Sequence, residues 1–100
     1  MTSTPDVVFS KAAIADIDEI WTYIADNSNM ESADRFLTTI RDKCSSLVNS
    51  PKGFRLRPEL SSLLRSYPIK RYVVFYQEIE KGIQIVRILH SARDIDAIFE

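Results

Sequence analysis

From Ser10 onward, Ile14, Ile17, Trp21 and Ile24, with Ile20 beside them, recur at three- and four-residue spacing and so lie along one stripe of a helix. Ser10 is a suitable N-cap for that helix, because its hydroxyl can accept from first-turn amides that have no carbonyl of their own. The predicted helix runs to about Asp26. Asn27, Ser28 and Asn29 then make a polar break long enough for an αα-hairpin. In the second predicted helix Ala33, Phe36, Leu37, Ile40, Cys44, Leu47 and Val48 follow the i, i+3, i+4, i+7 pattern, the clearest periodicity in the chain. Helices joined so closely are expected to pack antiparallel. Pro51 and Gly53 end the second one, and SPKGFRLRPELSS continues as a basic loop.

The pattern then changes period. SLLRSYPI, RYVVFYQEI and GIQIVRILH are rich in β-branched and aromatic residues, and the last two are separated by a turn at Glu80, Lys81 and Gly82, as in an antiparallel hairpin. Strict alternation puts Tyr72, Val74 and Tyr76 on one face and Val73 and Phe75 on the other. In the following strand it sets Gln84, Val86, Ile88 and His90 against Ile83, Ile85, Arg87 and Leu89. Both faces are largely apolar, so both need cover: one from the helical hairpin, the other from the terminal segment or a partner chain. Asp6–Phe9 is a short strand, and SARDIDAIFE closes as a short helix with Ile95, Ile98 and Phe99 on one side and Ser91 as its expected cap. The predicted order is β, α, α, β, β, β, α, an α+β fold in a single domain spanning residues 1–100.

Charge sharpens this picture. The net charge of −1 and pI near 5.8 argue against broad phosphate-backbone binding, which ordinarily rests on a basic excess. The charges are nonetheless segregated. Acidic side chains from Asp6 to Asp34 face one Lys11, whereas Lys52, Arg55, Arg57, Arg65, Lys70 and Arg71 face one Glu59. That segregation leaves room for a local basic patch within an acidic whole. The one cysteine, Cys44, excludes an intramolecular disulfide and, on an apolar stripe, reads as a small core residue. With a single histidine beside it, there is no basis for a protein-only zinc site, and no cofactor is expected. No leader and no long apolar span stands out, so the expected location is the cytoplasm, away from the membrane.

Three groupings carry candidate chemistry. His90 stands at the end of a strand between Arg87 and the pair Arg93 and Asp94. Asp94 could hold the imidazole in one tautomer and either arginine could bind phosphate, but a lone histidine before a turn is more often a hydrogen-bonded corner residue. Arg65, Lys70 and Arg71 flank a strand turn with Tyr67, Tyr72 and Tyr76 interleaved, a composition that suits stacking and backbone charge and is equally ordinary for sheet and turn. Asp16, Glu19, Tyr23 and Asp26 form the polar side of the first helix, a solvated or partner-facing surface rather than an acid/base pair.

ADIDEIWTYIADNSNMESADRFLTTI resembles the α-hairpin of the RelE/ParE toxin superfamily, and LLRSYPIKRYVVFYQEIEKGIQIVRILHSARDIDAIF resembles the ParE branch over its sheet and C-terminal end. The phrases DIDEIWTYIA, LRSYP, RYVVFY and IVRILHSARD carry the resemblance together, from about Phe9 to Phe99. It implies a RelE/ParE-like fold: an N-terminal strand, an antiparallel α-hairpin packed on a small antiparallel sheet, and a short C-terminal helix. It also implies the toxin of a bacterial type II toxin–antitoxin pair, bound as a hetero-oligomer by a ParD-like ribbon-helix-helix antitoxin. ParE-type toxins are similar in fold to RelE-type ribosome-dependent mRNA endonucleases, yet inhibit DNA gyrase and block replication by protein binding.

The acidic pI and the tail IDAIFE, which offers neither tyrosine nor histidine, favour the ParE branch. On that branch the chain is not an enzyme, contacts no specific nucleic acid, and is expected to use Arg65, Arg71, Tyr72, His90 and Arg93 toward its target. Two alternatives stand beside it. A RelE-like mRNA endoribonuclease would use Arg65, Arg87, His90 and Arg93 as its active surface, and a non-toxic family member would act only as a complex subunit.

Overall fold

The computed structural model describes residues 6–93 and 95–99. Strand β1 (Asp6–Phe9) leads into helix α1 (Lys11–Asn27) and helix α2 (Met30–Ser46), which ends in a 3-10 turn at Leu47–Asn49. Strands β2 (Arg55–Leu56), β3 (Arg65–Ile69), β4 (Tyr72–Ile79) and β5 (Gly82–His90) follow, and helix α3 (Ile95–Ile98) closes the chain. The α+β order expected from the pattern is present, with β2 added inside the stretch expected to be loop.

Local chemistry sets the helix ends. The Ser10 hydroxyl accepts from the Ala13 N–H at 3.0 Å and donates to the Val86 carbonyl at 2.7 Å, so one side chain caps α1 and ties it to β5. Asn29 caps α2 by accepting from the Ser32 N–H at 2.7 Å. The Trp21 indole N–H donates to Asp34 across the hairpin at 2.8 Å. Ile14, expected on the buried stripe, is 51% exposed, because α1 turns its Ala13 and Asp16 positions to the sheet instead.

The sheet order is β1-β5-β4-β3-β2. Strands β2 to β5 pair antiparallel, as expected, while β1 joins β5 in parallel, so the whole sheet is mixed. A parallel pair needs a long crossover, which the two helices and the strands β2 to β4 supply. Gly82 makes that junction close: its φ is 144°, and a Cβ there would lie 1.9 Å from the Asp6 carbonyl oxygen.

A β-bulge between Phe75 and Tyr76 and its partners on β5 breaks the alternation. Phe75 pairs with Arg87 and Tyr76 with Ile85, leaving Val86 as the extra residue. Strict alternation had set Ile88 opposite Ile83 and Ile85; the bulge brings all three into one core with Val74 and Tyr76, under the helices. Val86 and Leu89 go to the second face with Phe75 and Leu64. That face is covered by the terminal segment, Ile95, Ile98 and Phe99, with Phe99 edge-on to Phe75 at 4.9 Å. Helix α3 begins at Ile95, four residues past Ser91, so Ser91 does not cap it; its N–H donates to the Arg71 carbonyl at 2.9 Å instead. Asp94 lies outside the described residues.

Candidate functional site

Strand β1 stops at Phe9, which leaves the edge of β5 beyond Ile85 without a strand neighbour. Helix α1 fills in. After Ser10 takes the Val86 carbonyl, the Asp16 carboxylate accepts from the Ile88 N–H at 2.9 Å and from Arg87 Nε and Nη2, both at 2.8 Å. Asp16 is 4% exposed, so the expectation that it belongs to a solvated helix face is corrected: it is the buried half of a two-pronged ion pair. The bond to Asp16 also holds the Arg87 guanidinium pKa above its ordinary value.

Above that pair an open groove of about 420 Å³ runs between α1 and the end of β5. Glu19, Ile20 and Tyr23 form one wall, Tyr72 and Ile88 the floor and far wall, and His90 and Arg93 the end. Tyr72 stands opposite His90 in register, with the rings edge-on at 5.3 Å. Phe36 of α2 lies against Tyr72 at 5.2 Å, which makes a row of three rings from the helices to the corner. Burial, then the nearby Tyr23, pushes the Tyr72 hydroxyl above its ordinary pKa, so it serves the groove as a neutral donor. A second cleft of about 270 Å³, behind Tyr72, is lined by Ile24, Phe36, Lys70 and Arg71. Lys70 occupies the two-residue turn between β3 and β4 with φ 55°, and its Nζ stands 5.9 Å from the Phe36 ring centroid.

The corner after β5 is tied from three directions. His90 Nδ1 accepts from the Ala92 N–H at 3.0 Å, the Arg93 N–H donates to the His90 carbonyl at 3.0 Å, and Ser91 is held by Arg71. With Nδ1 accepting from that amide, Nε2 is the nitrogen left to carry the ring's N–H, so neither nitrogen offers a free lone pair.

Of the residues singled out in the sequence, Tyr72, His90 and Arg93 share the groove, and Arg71 lines the adjoining cleft. Arg65 does not join them. It pairs with Tyr76, four residues along β4 from Tyr72, which is roughly 13 Å along the strand. There its Nη1 donates to the Phe54 carbonyl at 2.7 Å. Arg87 lies next to the groove but its guanidinium is committed to Asp16. Glu19 and Tyr23, assigned to a solvated or partner-facing side, line the wall. The one local signal was Arg87, a lone charge inside the apolar run IVRIL that calls for a buried counter-charge; Asp16, beside Asp18 and Glu19, gave none. Among the described residues, no three His, Cys, Asp or Glu side chains gather as a metal site requires, and no helix is long and apolar enough to cross a membrane.

Residues 7–95 match the family model described as ParE toxin of type II toxin-antitoxin system, parDE. The chain belongs to the ParE toxin family. Curated relatives named Toxin ParE1, from Mycobacterium tuberculosis strains CDC 1551 / Oshkosh and ATCC 25618 / H37Rv, are each 27% identical over 90 residues, spanning 89% of this chain and 92% of the relative. A solved chain from the chromosomal ParDE TA system of P. aeruginosa shares the fold, with a TM-score of 0.75 at 20% identity over 87% of this chain and 96% of that one. In this ParE-family chain the matched region contains the whole α-hairpin, all of β2 to β5 and the His90 corner.

Proposed function

We propose that this ParE-family chain is a toxin that acts by binding a protein target, DNA gyrase, and so blocks replication in the cytoplasm, and that a ParD-like ribbon-helix-helix antitoxin neutralises it in a hetero-oligomer. The observation that carries a binding role over a cutting one is the state of the side chains around His90. Arg87 is neutralised by Asp16, His90 spends Nδ1 on the Ala92 amide, and Arg65 lies at another part of the sheet. A general base needs an available lone pair within reach of substrate, and this ring has none until the corner opens. Tyr23, Tyr72 and Arg93, by contrast, are the residue types that anchor protein interfaces, and they line one open groove.

The test is to purify the chain free of antitoxin and assay gyrase supercoiling and ribosome-bound mRNA cleavage side by side. Inhibition of supercoiling that weakens in Tyr72→Ala and Arg93→Ala is the expected result. Cleavage of mRNA by the wild type, lost in His90→Ala, would move the chain to the nuclease branch. Inactivity in both assays, with antitoxin binding intact, would leave it a complex subunit without toxicity.

A further inference from the structure

The two edges of the sheet differ. On the β3 side, the outward position beyond the two-residue β2 is Pro68, which has no N–H to offer a neighbouring strand. On the other side lies β1. The Asp6 N–H donates to the Lys81 carbonyl at 2.8 Å and the Ser10 N–H to the Ile85 carbonyl at 2.9 Å, so in this parallel register the even-numbered residues face β5. The N–H and C=O groups of Val7 and Phe9 therefore point away from the sheet, and no partner for them exists among the described residues. Val8 is 43% exposed on one side of this edge. On the helix side, Phe9, Ile14, Ile17, Leu37, Ile40 and Arg41 line an apolar groove of about 310 Å³.

We infer that β1 is a self-association edge, taken by β1 of a second copy of this chain. The ends of DVVFSK, Asp6 and Lys11, carry opposite charges, so two antiparallel copies bring each acidic end near the basic end of the other. A two-fold axis requires the two strands to run antiparallel, and the outward groups of Val7 and Phe9 fix the register. Val7 of each copy pairs with Phe9 of the other, giving four backbone hydrogen bonds. Val8 meets Val8 of the second copy on the axis, where directly opposed side chains lie about 5 Å apart. Asp6 then faces Ser10 of the second copy and comes beside its Lys11. Neither Asp6 nor Lys11 has an ion pair within the described residues, so the association supplies two symmetric ones. On the helix side, Val7 of the second copy lies alongside Phe9 at the mouth of the apolar groove. The two sheets become one.

Sedimentation of the full chain from low to high micromolar concentration reads this directly. A monomer–dimer equilibrium is expected, accompanied by concentration-dependent protection of the Val7 and Phe9 amides from hydrogen exchange. Asp6→Lys sets two lysines against each other at both ends of the pairing and is expected to weaken the dimer roughly tenfold, while Asp6→Lys combined with Lys11→Glu restores it. Val8→Asp, at an exposed position, is expected to abolish the dimer while circular dichroism remains that of the folded chain. A chain that stays monomeric throughout, or a dimer indifferent to both Asp6→Lys and Val8→Asp, would overturn the inference. So would protection of these amides only on addition of the antitoxin, which would assign the edge to that partner.

Discussion

Replacing Asp16 by alanine removes three hydrogen bonds at once: two to the Arg87 guanidinium and one to the Ile88 amide. Breaking one side of a buried ion pair costs roughly 3–5 kcal/mol when the remaining charge stays dry. The Arg87 side chain is 25% exposed, so water recovers part of its solvation and brings that cost to about 2–3 kcal/mol. The stranded Ile88 amide adds about 1 kcal/mol. The sum, about 3–4 kcal/mol, is a large fraction of the roughly 5–15 kcal/mol that holds a domain of this size, and lowers Tm by about 15–25 °C. Urea unfolding followed by the fluorescence of the single tryptophan, Trp21, measures it. Asp18→Ala, at an exposed neighbouring position, is the control and should fall within about 0.5 kcal/mol of the wild type. Adding Arg87→Met to Asp16→Ala should recover roughly 1–2 kcal/mol, because it removes the charge left behind. A loss below about 1 kcal/mol for Asp16→Ala, or a double variant no better than the single one, would refute the account.

Gly82→Ala drives a Cβ into the Asp6 backbone and strains a positive φ; it should cost at least about 3 kcal/mol, with early loss of β1 protection in hydrogen exchange. Removing the residues after Arg93 strips Ile95, Ile98 and Phe99 from the second core, and their partial burial predicts a loss of about 3 kcal/mol in urea unfolding. Burial pushes the Cys44 thiol up to about 12 from 9.0, so the folded state holds the proton more tightly than the unfolded chain. The stability this contributes is whole below about pH 9 and is lost as the pH rises toward 12, at up to about 1.4 kcal/mol per unit. Cys44→Ala should flatten that alkaline decline by one proton's worth in urea midpoints taken at stepped pH. Tyr72 and Tyr76, also raised by burial, add to the slope in the same direction.

Periodicity and capping chemistry were enough to place both long helices, the β4–β5 hairpin and the order of elements apart from the two-residue β2, because these depend on neighbours three or four residues apart or on a short turn. The Ser10 cap, the polar break at Asn27 to Asn29 and the apolar run of α2 are local in this sense. The family, too, was legible, since its phrases lie in continuous stretches. Three features were not. The parallel seat of β1 depends on Gly82, and nothing near Asp6 in the chain announces a partner 76 residues away. The bulge that unites Ile83, Ile85 and Ile88 arises from a mismatch between two strands, invisible in either alone. Asp16 and Arg87, 71 residues apart, acquire their meaning only when α1 is laid along the edge that β1 leaves open. Composition and period set which residues are buried and which elements form; which charge meets which, and where a strand runs out of neighbours, is decided by tertiary contacts because the energies involved belong to pairs distant in the chain.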